Sequence, residues 1–301
     1  MTHAPRRPPP LRAGDRVTVV APAGPTPVGM LTAGVAVLRT WGLDVRVAPH
    51  VLDRHPELPY LAGHDTDRAG DVHDAWHDPD VKAVICARGG YGSQRTQDHL
   101  DWAAIAAAPP KAFAGSSDIT ALHTAFTTLG DTATLFAPMI ATRGFVHDVQ
   151  AQEHLRRALF TPAAERVLTR PTAGTLVPGT ARGTTTGGCA TLVAFDPTTP
   201  PPGSIALLED IDEDLYALDR VLTNLLRRGW FDTVTGIALG SWSGCGDVND
   251  LALERLGPLG VPIIADLGFG HCGGQLTIPM GVPVELDADR ATLTVLDDGR
   301  A

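Results

Sequence analysis

Several signatures of other protein classes are missing from this 301-residue chain. It has no unbroken apolar run of about 18 residues, so nothing in it predicts a membrane span. Lys and Arg total 24 against 34 Asp and Glu, and the formal charge of -10 argues against a nucleic-acid partner, which would need a basic face. The basic N-terminus leads into prolines instead of an apolar stretch, so we expect no signal peptide and a cytoplasmic location.

Cysteine is also scarce, with four residues at positions 86, 189, 245 and 272. None of them forms a Cys-x-x-Cys pair, and their wide spacing does not suit a small disulfide framework. We therefore expect reduced thiols in the core.

Motifs for metals and nucleotides are incomplete. Segment 73–77 has two histidines one helical turn apart, as in zinc peptidases, but Asp74 stands where those enzymes need Glu. Segment 268–274 matches Gly-x-Gly-x-x-Gly, yet no helical pattern follows it, and loop 88–92 fits neither common phosphate-binding pattern. The acidic segment 209–214 lacks the spacing of a calcium loop and is typical of a solvated loop or a loose divalent-cation site. None of these patterns predicts a bound cofactor.

The chain does contain an alternation of short apolar runs and helical patterns. Apolar runs predict strands at 17–21, 45–48, 81–87, 111–114, 205–208, 235–239 and 284–296. Helical spacing occurs at 31–41, 68–77, 119–129 and 215–227. This alternation predicts βαβ units and a mostly parallel sheet in an α/β fold.

A change in composition suggests two domains. Pro, Thr, Gly and Ala dominate residues 162–186, which is typical of a connection between domains. We therefore predict an N-terminal α/β domain over residues 1–165, a linker over 166–182, and a smaller C-terminal α/β domain over 183–301.

A serine turn separates one predicted strand from the next predicted helix. Ser117 follows Gly115 and Ser116 there, where a strand-to-helix turn would expose its hydroxyl. Such a hydroxyl becomes a nucleophile only beside a general base. The alternative is that Ser116 and Ser117 serve as helix N-caps, and this segment alone favours that alternative slightly.

The glycine-rich loop 88–92 follows another buried strand, at the sheet edge where α/β proteins bind ligands. Its glycines allow close backbone approach, so the Gly90 N–H group is a candidate oxyanion donor together with the Asp118 N–H group. Arg88 either binds a substrate carboxylate or forms a structural ion pair.

Two downstream residues complete a possible catalytic set. Glu209 ends the apolar run 205–208, and His271 lies among glycines with an unperturbed pKa of ~6.5, which suits a general base. A loop histidine without a role is the alternative, and a His271–Cys272 dyad is disfavoured because adjacent side chains point apart. Serine, acid and histidine together indicate a serine hydrolase, although chain order alone does not define a triad.

Taken together, these motifs resemble the LD-carboxypeptidase family, serine peptidases that trim muropeptides, with relatives that inactivate microcin C-type antibiotics. The resemblance extends over nearly the whole chain. The segments that carry it are 14–17, 21–23, 60–65, 68–69, 88–92, 115–122, 208–220 and 270–281.

The resemblance implies a Ser117–Glu209–His271 triad and an oxyanion hole formed by the backbone of Gly90 and Asp118. It further implies an N-terminal domain similar to class I amidotransferases, a smaller C-terminal domain carrying Glu and His, and an active site between them. Metal-free catalysis and a homodimer are also implied.

The chain departs from the family pattern at three places. Ser116 replaces an aromatic residue before the nucleophile, Phe136-Ala137 replaces His-Gly, and Cys189 replaces Asn. None of these removes a catalytic group, but each could reshape the pocket, in which we also expect Arg88, Tyr91 and Ser116 to contact substrate.

The function that follows is a metal-independent serine carboxypeptidase without cofactors, acting on a small peptide. By resemblance, the bond is the L,D-bond that releases terminal D-alanine from murein tetrapeptides. Two alternatives remain. One is a self-immunity carboxypeptidase or amidase acting on peptidyl-nucleotide antibiotics, and the other is an inactive muropeptide-binding protein.

Overall fold

The computed structural model describes residues 5–161 and 166–296. In these residues the strands are β1 (Arg16–Val20), β2 (Asp44–Val47), β3 (Val81–Cys86), β4 (Ala112–Gly115), β5 (Thr134–Phe136), β6 (Arg166–Leu168), β7 (Gly174–Val177), β8 (Thr180–Cys189), β9 (Ser204–Ile211), β10 (Val234–Ser243), β11 (Ile263–Ala265), β12 (Ile278–Met280), β13 (Pro283–Asp287) and β14 (Thr292–Val295). The helices are α1 (Val28–Thr40), α2 (Asp65–His77), α3 (Ser93–Gln97), α4 (Trp102–Ala107), α5 (Thr120–Thr128), α6 (Arg143–Val146), α7 (Val149–Phe160), α8 (Ala190–Phe195), α9 (Leu215–Arg227) and α10 (Asn249–Leu256). Short 3-10 turns lie at Ser117–Ile119 and Gly257–Leu259.

The first sheet has six strands in the order β12-β5-β4-β3-β1-β2. The pairings among β1 to β5 are parallel, and only β12 runs antiparallel to its neighbour. Val17, Val19 and Ile85 are fully buried in it, as expected for parallel strands covered on both faces. The prediction of a mostly parallel sheet in a mixed α/β fold is confirmed.

The second sheet has eight strands in the order β6-β14-β13-β8-β9-β10-β11-β7. Its central strands β8, β9, β10 and β11 are parallel, and antiparallel strands flank them. Helix α9 buries Leu218, Leu222 and Leu225, which recur at helical spacing on one face. The carboxyl ends of the parallel strands β8 to β11 form a second sheet edge at which functional side chains can lie.

The segment predicted as a linker, 166–182, lies within this second sheet. It contributes β6 and β7, one at each edge of the sheet, and the first residues of β8. Its Thr- and Gly-rich composition is compatible with half-exposed edge strands, which bury few side chains; Leu168 is the one buried residue of β6. Residues 162–165 lie outside the described residues, and the domain boundaries stay a prediction.

One strand of the C-terminal half crosses to the first sheet. Strand β12 pairs antiparallel with β5, with Ile278 opposite Phe136, whereas β11 before it and β13 after it belong to the second sheet. The chain from 266 to 277 is therefore a connection between the sheets, and it contains His271.

No helix in the described part of the chain is long and apolar enough to cross a membrane.

Candidate active site

Ser117 lies at a sharp turn directly beyond the carboxyl end of β4. Its φ of 59° is in the left-handed region, which costs a non-glycine residue roughly 1 kcal/mol or more. Ser116 precedes the 3-10 turn but makes no side-chain cap hydrogen bond, so its hydroxyl does not act as an N-cap. A strained serine between a strand and a helix is the geometry that presents a nucleophilic hydroxyl.

The glycine-rich loop 88–92 lies against this serine. A Cβ built on Gly89 would lie 3.1 Å from the Ser117 Cβ and 3.3 Å from its Oγ, so glycine is what permits the approach. Gly90 has a φ of 104°, and within the described residues its N–H group has no hydrogen-bond acceptor.

The Asp118 N–H group is in the first turn of a helix, where N–H groups have no intrahelical acceptor. Ser93 joins this residue to the loop, because its N–H group donates to Asp118 Oδ2 at 2.8 Å and its hydroxyl donates to the Asp118 carbonyl. Gly90 and Asp118, the two predicted oxyanion donors, thus lie on segments that Ser93 fastens together.

Arg88 and Tyr91 are exposed beside this loop. Arg88 donates from Nη1 to the Pro25 carbonyl at 2.8 Å and forms no ion pair in the part of the chain that the structure describes. Tyr91 is 46% exposed and packs edge-to-face against Tyr60, with ring centroids 5.8 Å apart. Ser116 is buried, so of the three predicted substrate contacts two are open to a ligand.

His123 holds the end of β4 and was not found from the sequence. Its Nε2 donates to the Gly115 carbonyl at 2.9 Å, and its Nδ1 accepts from the Thr134 hydroxyl at 2.8 Å. Burial lowers the pKa of this imidazole to about 4, which keeps it neutral at physiological pH. A neutral imidazole with two assigned partners fixes the strand end two residues before Ser117.

Arg68 supports the other side of the loop and was also missed. This buried guanidinium donates to Thr96 Oγ1 at 3.1 Å and to the Gly92 carbonyl at 3.5 Å, and it pairs with the Asp65 carboxylate. Asp65 also binds Arg95 at 2.7 Å. The signal in the sequence is an arginine on a face of α2 that is apolar apart from Asp71.

Glu209 and His271 lie in hydrogen-bond contact. Glu209 is completely buried near the carboxyl end of β9, and its Oε2 accepts from His271 Nδ1 at 2.8 Å and from the His271 N–H group at 3.3 Å. Gly270 makes this possible, since a Cβ there would lie 2.3 Å from Oε2 and its φ is +90°. The carboxylate thus fixes both the backbone and the ring of His271.

The pKa values of Glu209 and His271 are both shifted from their usual values. Burial raises the pKa of Glu209, and the hydrogen bond from His271 offsets only part of that rise. Burial is the largest single effect on His271 and would lower its pKa, but the hydrogen bond to Glu209 and the negative charges of Glu209, Asp210 and Asp212 together outweigh it and hold the pKa above its usual value. With Nδ1 bound to the carboxylate, Nε2 is the nitrogen left to act as a base.

Sheet register connects this pair to the serine. Gly115 of β4 lies opposite Phe136 of β5, and Phe136 lies opposite Ile278 of β12, which follows the His271 loop. From the other side, Cys189 is beside Glu209 in the second sheet, and its N–H group donates to Thr120 Oγ1 at 2.9 Å.

The third contact of the predicted triad is not formed. Within residues 5–161 and 166–296, the Ser117 hydroxyl and His271 share no hydrogen bond. The structure therefore shows the acid–histidine pair, and it connects the strand before Ser117 with the strand after His271 through β5, without a hydrogen bond between Ser117 and His271 in the described residues.

A group of possible metal ligands lies elsewhere. His50, Asp53 and Asp67 each offer one ligand atom, and these three atoms lie within 4.8 Å of one another. His50 Nδ1 binds the buried Asp71 carboxylate at 2.8 Å, and this hydrogen bond raises the pKa of the imidazole. This bond already engages one ring nitrogen of His50.

Comparison with known proteins is consistent across both halves of the chain. Residues 17–137 match the LD-carboxypeptidase N-terminal domain, and residues 182–286 match the LD-carboxypeptidase C-terminal domain. A Streptomyces coelicolor protein is 55% identical over 96% of each chain. The murein tetrapeptide carboxypeptidase of Pseudomonas aeruginosa is 31% identical over 91% of this chain and 94% of its own.

Solved structures agree with this assignment. The muramoyltetrapeptide carboxypeptidase of Oxalobacter formigenes superposes with a TM-score of 0.81 at 27% identity, covering 94% of this chain and 99% of its own. The microcin C7 self immunity protein MccF in complex with aspartyl sulfamoyl adenosine has a TM-score of 0.84 over the whole of both chains, but its 20% identity shows the shared fold alone. The resemblance inferred from the sequence motifs is confirmed, and the chain belongs to the LD-carboxypeptidase family.

Proposed function

We propose that the protein is a metal-independent serine carboxypeptidase that releases terminal D-alanine from murein tetrapeptides by hydrolysing the L,D-peptide bond. The observation that carries this proposal is the 2.8 Å hydrogen bond between the buried Glu209 and the partly exposed His271, whose loop leads through β12 and β5 to β4, the strand before the strained Ser117 turn. Membership of the family and the named carboxypeptidases among its relatives support the reaction class.

In the proposed mechanism, Ser117 Oγ attacks the scissile carbonyl while His271 Nε2 takes its proton. His271 then returns that proton to the leaving amine of D-alanine, and water repeats the sequence to release the acyl group. Glu209 holds the ring through Nδ1 and stabilises its charged form. Because Oγ and Nε2 share no hydrogen bond before substrate binds, we expect them to come within about 3 Å in the complex.

The Gly90 and Asp118 N–H groups are the proposed oxyanion donors. Gly90 follows Gly89, which packs on the Ser117 side chain, and Asp118 follows Ser117 itself. Neither N–H group has an acceptor among the described residues, which leaves both available to the developing negative charge. Removing one such donor typically costs on the order of 3 kcal/mol of transition-state stabilisation. No step of this mechanism calls for a metal ion.

The direct test is release of D-alanine from a purified murein tetrapeptide, with and without EDTA. We expect release that EDTA does not change and that Ser117→Ala abolishes while the thermal unfolding midpoint stays close to that of the wild type. Substantial turnover by Ser117→Ala would remove this serine from the mechanism, and EDTA-sensitive turnover would contradict metal independence.

The same assay separates the alternatives. Cleavage of an aminoacyl sulfamoyl adenosine without any release of D-alanine would favour a self-immunity enzyme over murein trimming. A fluorophosphonate that fails to label Ser117, together with tight muropeptide binding, would instead indicate an inactive binding protein. Labelling of wild type but not of Ser117→Ala is the result expected for the proposed serine peptidase.

A further inference from the structure

The loop that carries His271 binds different partners before and after the histidine. Before the histidine, the Leu267 N–H group donates to the Leu239 carbonyl and the Ser241 N–H group donates to the Phe269 carbonyl, both at 2.9 Å. Both bonds anchor the loop to β10. Glu209 then binds His271 itself.

After the histidine, two backbone groups of the loop contact other segments of the described residues, namely the Gly274 N–H group and the Thr277 carbonyl, which accepts from Arg166 Nη2 at 3.2 Å. Among the described residues, the only N–H group from 272 to 275 with an acceptor outside the loop is that of Gly274, which donates to Asp148 Oδ2 at 2.6 Å. Gly274 has a φ of +61°, and a Cβ there would lie 2.9 Å from Gln150 Oε1. Glycine therefore allows the loop to lie against the start of α7.

Asp148 is well suited to hold this loop because it is itself fixed. It is the N-cap of α7, and its Oδ1 accepts from the N–H groups of Gln150 and Ala151 at 3.0 Å each. Burial would raise the pKa of Asp148, but the three backbone donors outweigh it and hold the pKa below its usual value. The acceptor facing Gly274 is thus a charged oxygen, which makes the stronger class of hydrogen bond.

We propose that Asp148 is a positioning residue that clamps the His271 loop to α7 and so keeps the imidazole at the crevice beside Ser117. The clamp complements Glu209, because Glu209 holds His271 from the second sheet and Asp148 holds its loop from a helix that packs on the first. This role rests on the proposed serine peptidase function. A shift of the loop by about 1 Å would be enough to lower the rate by on the order of 100-fold.

The variant that isolates the clamp is Asp148→Asn. Asparagine caps helices about as well as aspartate, so its oxygen can serve Gln150 and Ala151. Its amide nitrogen then faces the Gly274 N–H group and cannot accept from it. Asp101→Asn is the matched control, because Asp101 caps α4 through the Ala104 N–H group at 3.0 Å and does not contact the loop.

Three measurements on the full-length protein test the proposal. In Asp148→Asn we expect faster amide hydrogen exchange in residues 268–276 and a slower fluorophosphonate reaction at Ser117, each by about 10-fold. NMR titration should show the His271 pKa moving toward its ordinary value of ~6.5. Asp101→Asn should match the wild type in all three, with the unfolding midpoint of Asp148→Asn falling no further than that of this control.

Two results would overturn the clamp. One is unchanged exchange in residues 268–276, and the other is faster exchange with no change in the His271 pKa. Failure of the proposed function looks different, because a wild-type protein that fluorophosphonate does not label would still show the exchange and NMR effects of the clamp.

Discussion

At the scale of single residues, His271 can act as the proposed base only while its imidazole is neutral. Its pKa is held above the usual value by Glu209, and only the neutral ring can accept the Ser117 proton. Activity should therefore be present above this raised pKa and be lost as the pH falls through it. The kcat/KM profile of the wild type should show an acid limb with a midpoint above ~6.5.

Glu209→Gln tests the cause of this shift. Without the carboxylate charge, the His271 pKa should fall, so the acid limb should move to lower pH while the plateau rate falls by roughly 100-fold or more. The measurement is kcat/KM for D-alanine release between about pH 5 and about pH 9. An unchanged midpoint would mean that Glu209 does not set the His271 pKa.

Gly270 permits the contact between Glu209 and His271 because it has no side chain. Gly270→Ala should place a Cβ 2.3 Å from Glu209 Oε2 at a φ of +90°, which the buried carboxylate can relieve only by moving away from His271. We expect kcat to fall by on the order of 100-fold. Gly273→Ala in the same loop is the control, since its Cβ meets nothing closer than Asp148 Oδ2 at 3.8 Å. Equal activity of the two variants would contradict the steric argument.

At the scale of secondary-structure elements, the end of β4 is held by a neutral His123, whose ring binds the Gly115 carbonyl. The folded pKa is about 4 and the unfolded pKa is ~6.5, so the unfolded chain binds more protons below ~6.5. The contribution of neutral His123 to the free energy of unfolding should therefore be complete above about pH 6.5 and decline until the pH reaches about 4. His123→Gln, whose amide can replace both hydrogen bonds, should flatten this decline.

Urea unfolding at several pH values measures this effect. The slope assigned to His123 is at most about 1.4 kcal/mol per pH unit between the two pKa values. His73→Gln, which removes an imidazole of α2 that is 45% exposed, is the control. If wild type and His123→Gln lose stability in parallel, the burial of His123 does not contribute to the acid sensitivity.

The elements also show what the sequence could and could not predict. Ser117, Glu209 and His271 can be proposed from local signals, because each follows an apolar run or lies among glycines. His123 and Asp148 were missed, because their partners Gly115 and Gly274 are set by tertiary contacts that no local pattern encodes. Strands β6 and β7 were predicted as linker because their few buried residues leave no alternating apolar pattern.

At the scale of the whole molecule, the proposed active site depends on how the two sheets pack together. The Cys189 N–H group donates to Thr120 Oγ1, three residues beyond Ser117, while Cys189 is beside Glu209 in register. Gly188 lies at this contact, where a Cβ would be 2.5 Å from Thr120 Oγ1 and 2.9 Å from its Cγ2. Helix α5, which follows the proposed nucleophile, and strand β8, which pairs with the strand of the proposed acid, therefore meet where Gly188 has no side chain.

Gly188→Ala should separate these two elements. Its φ is +137°, so strain alone would cost stability, and Gly203→Ala provides the matched control because Gly203 has a φ of +78° with nothing within 4 Å of a Cβ. We expect Gly203→Ala to lose about 1–2 kcal/mol of unfolding free energy and keep its kcat. Gly188→Ala should lose more stability and at least about 10-fold in kcat, because the Ser117 turn moves relative to Glu209 and His271. Urea unfolding and D-alanine release measure the two effects, and equal kcat values for the variants would show that catalysis does not depend on this contact.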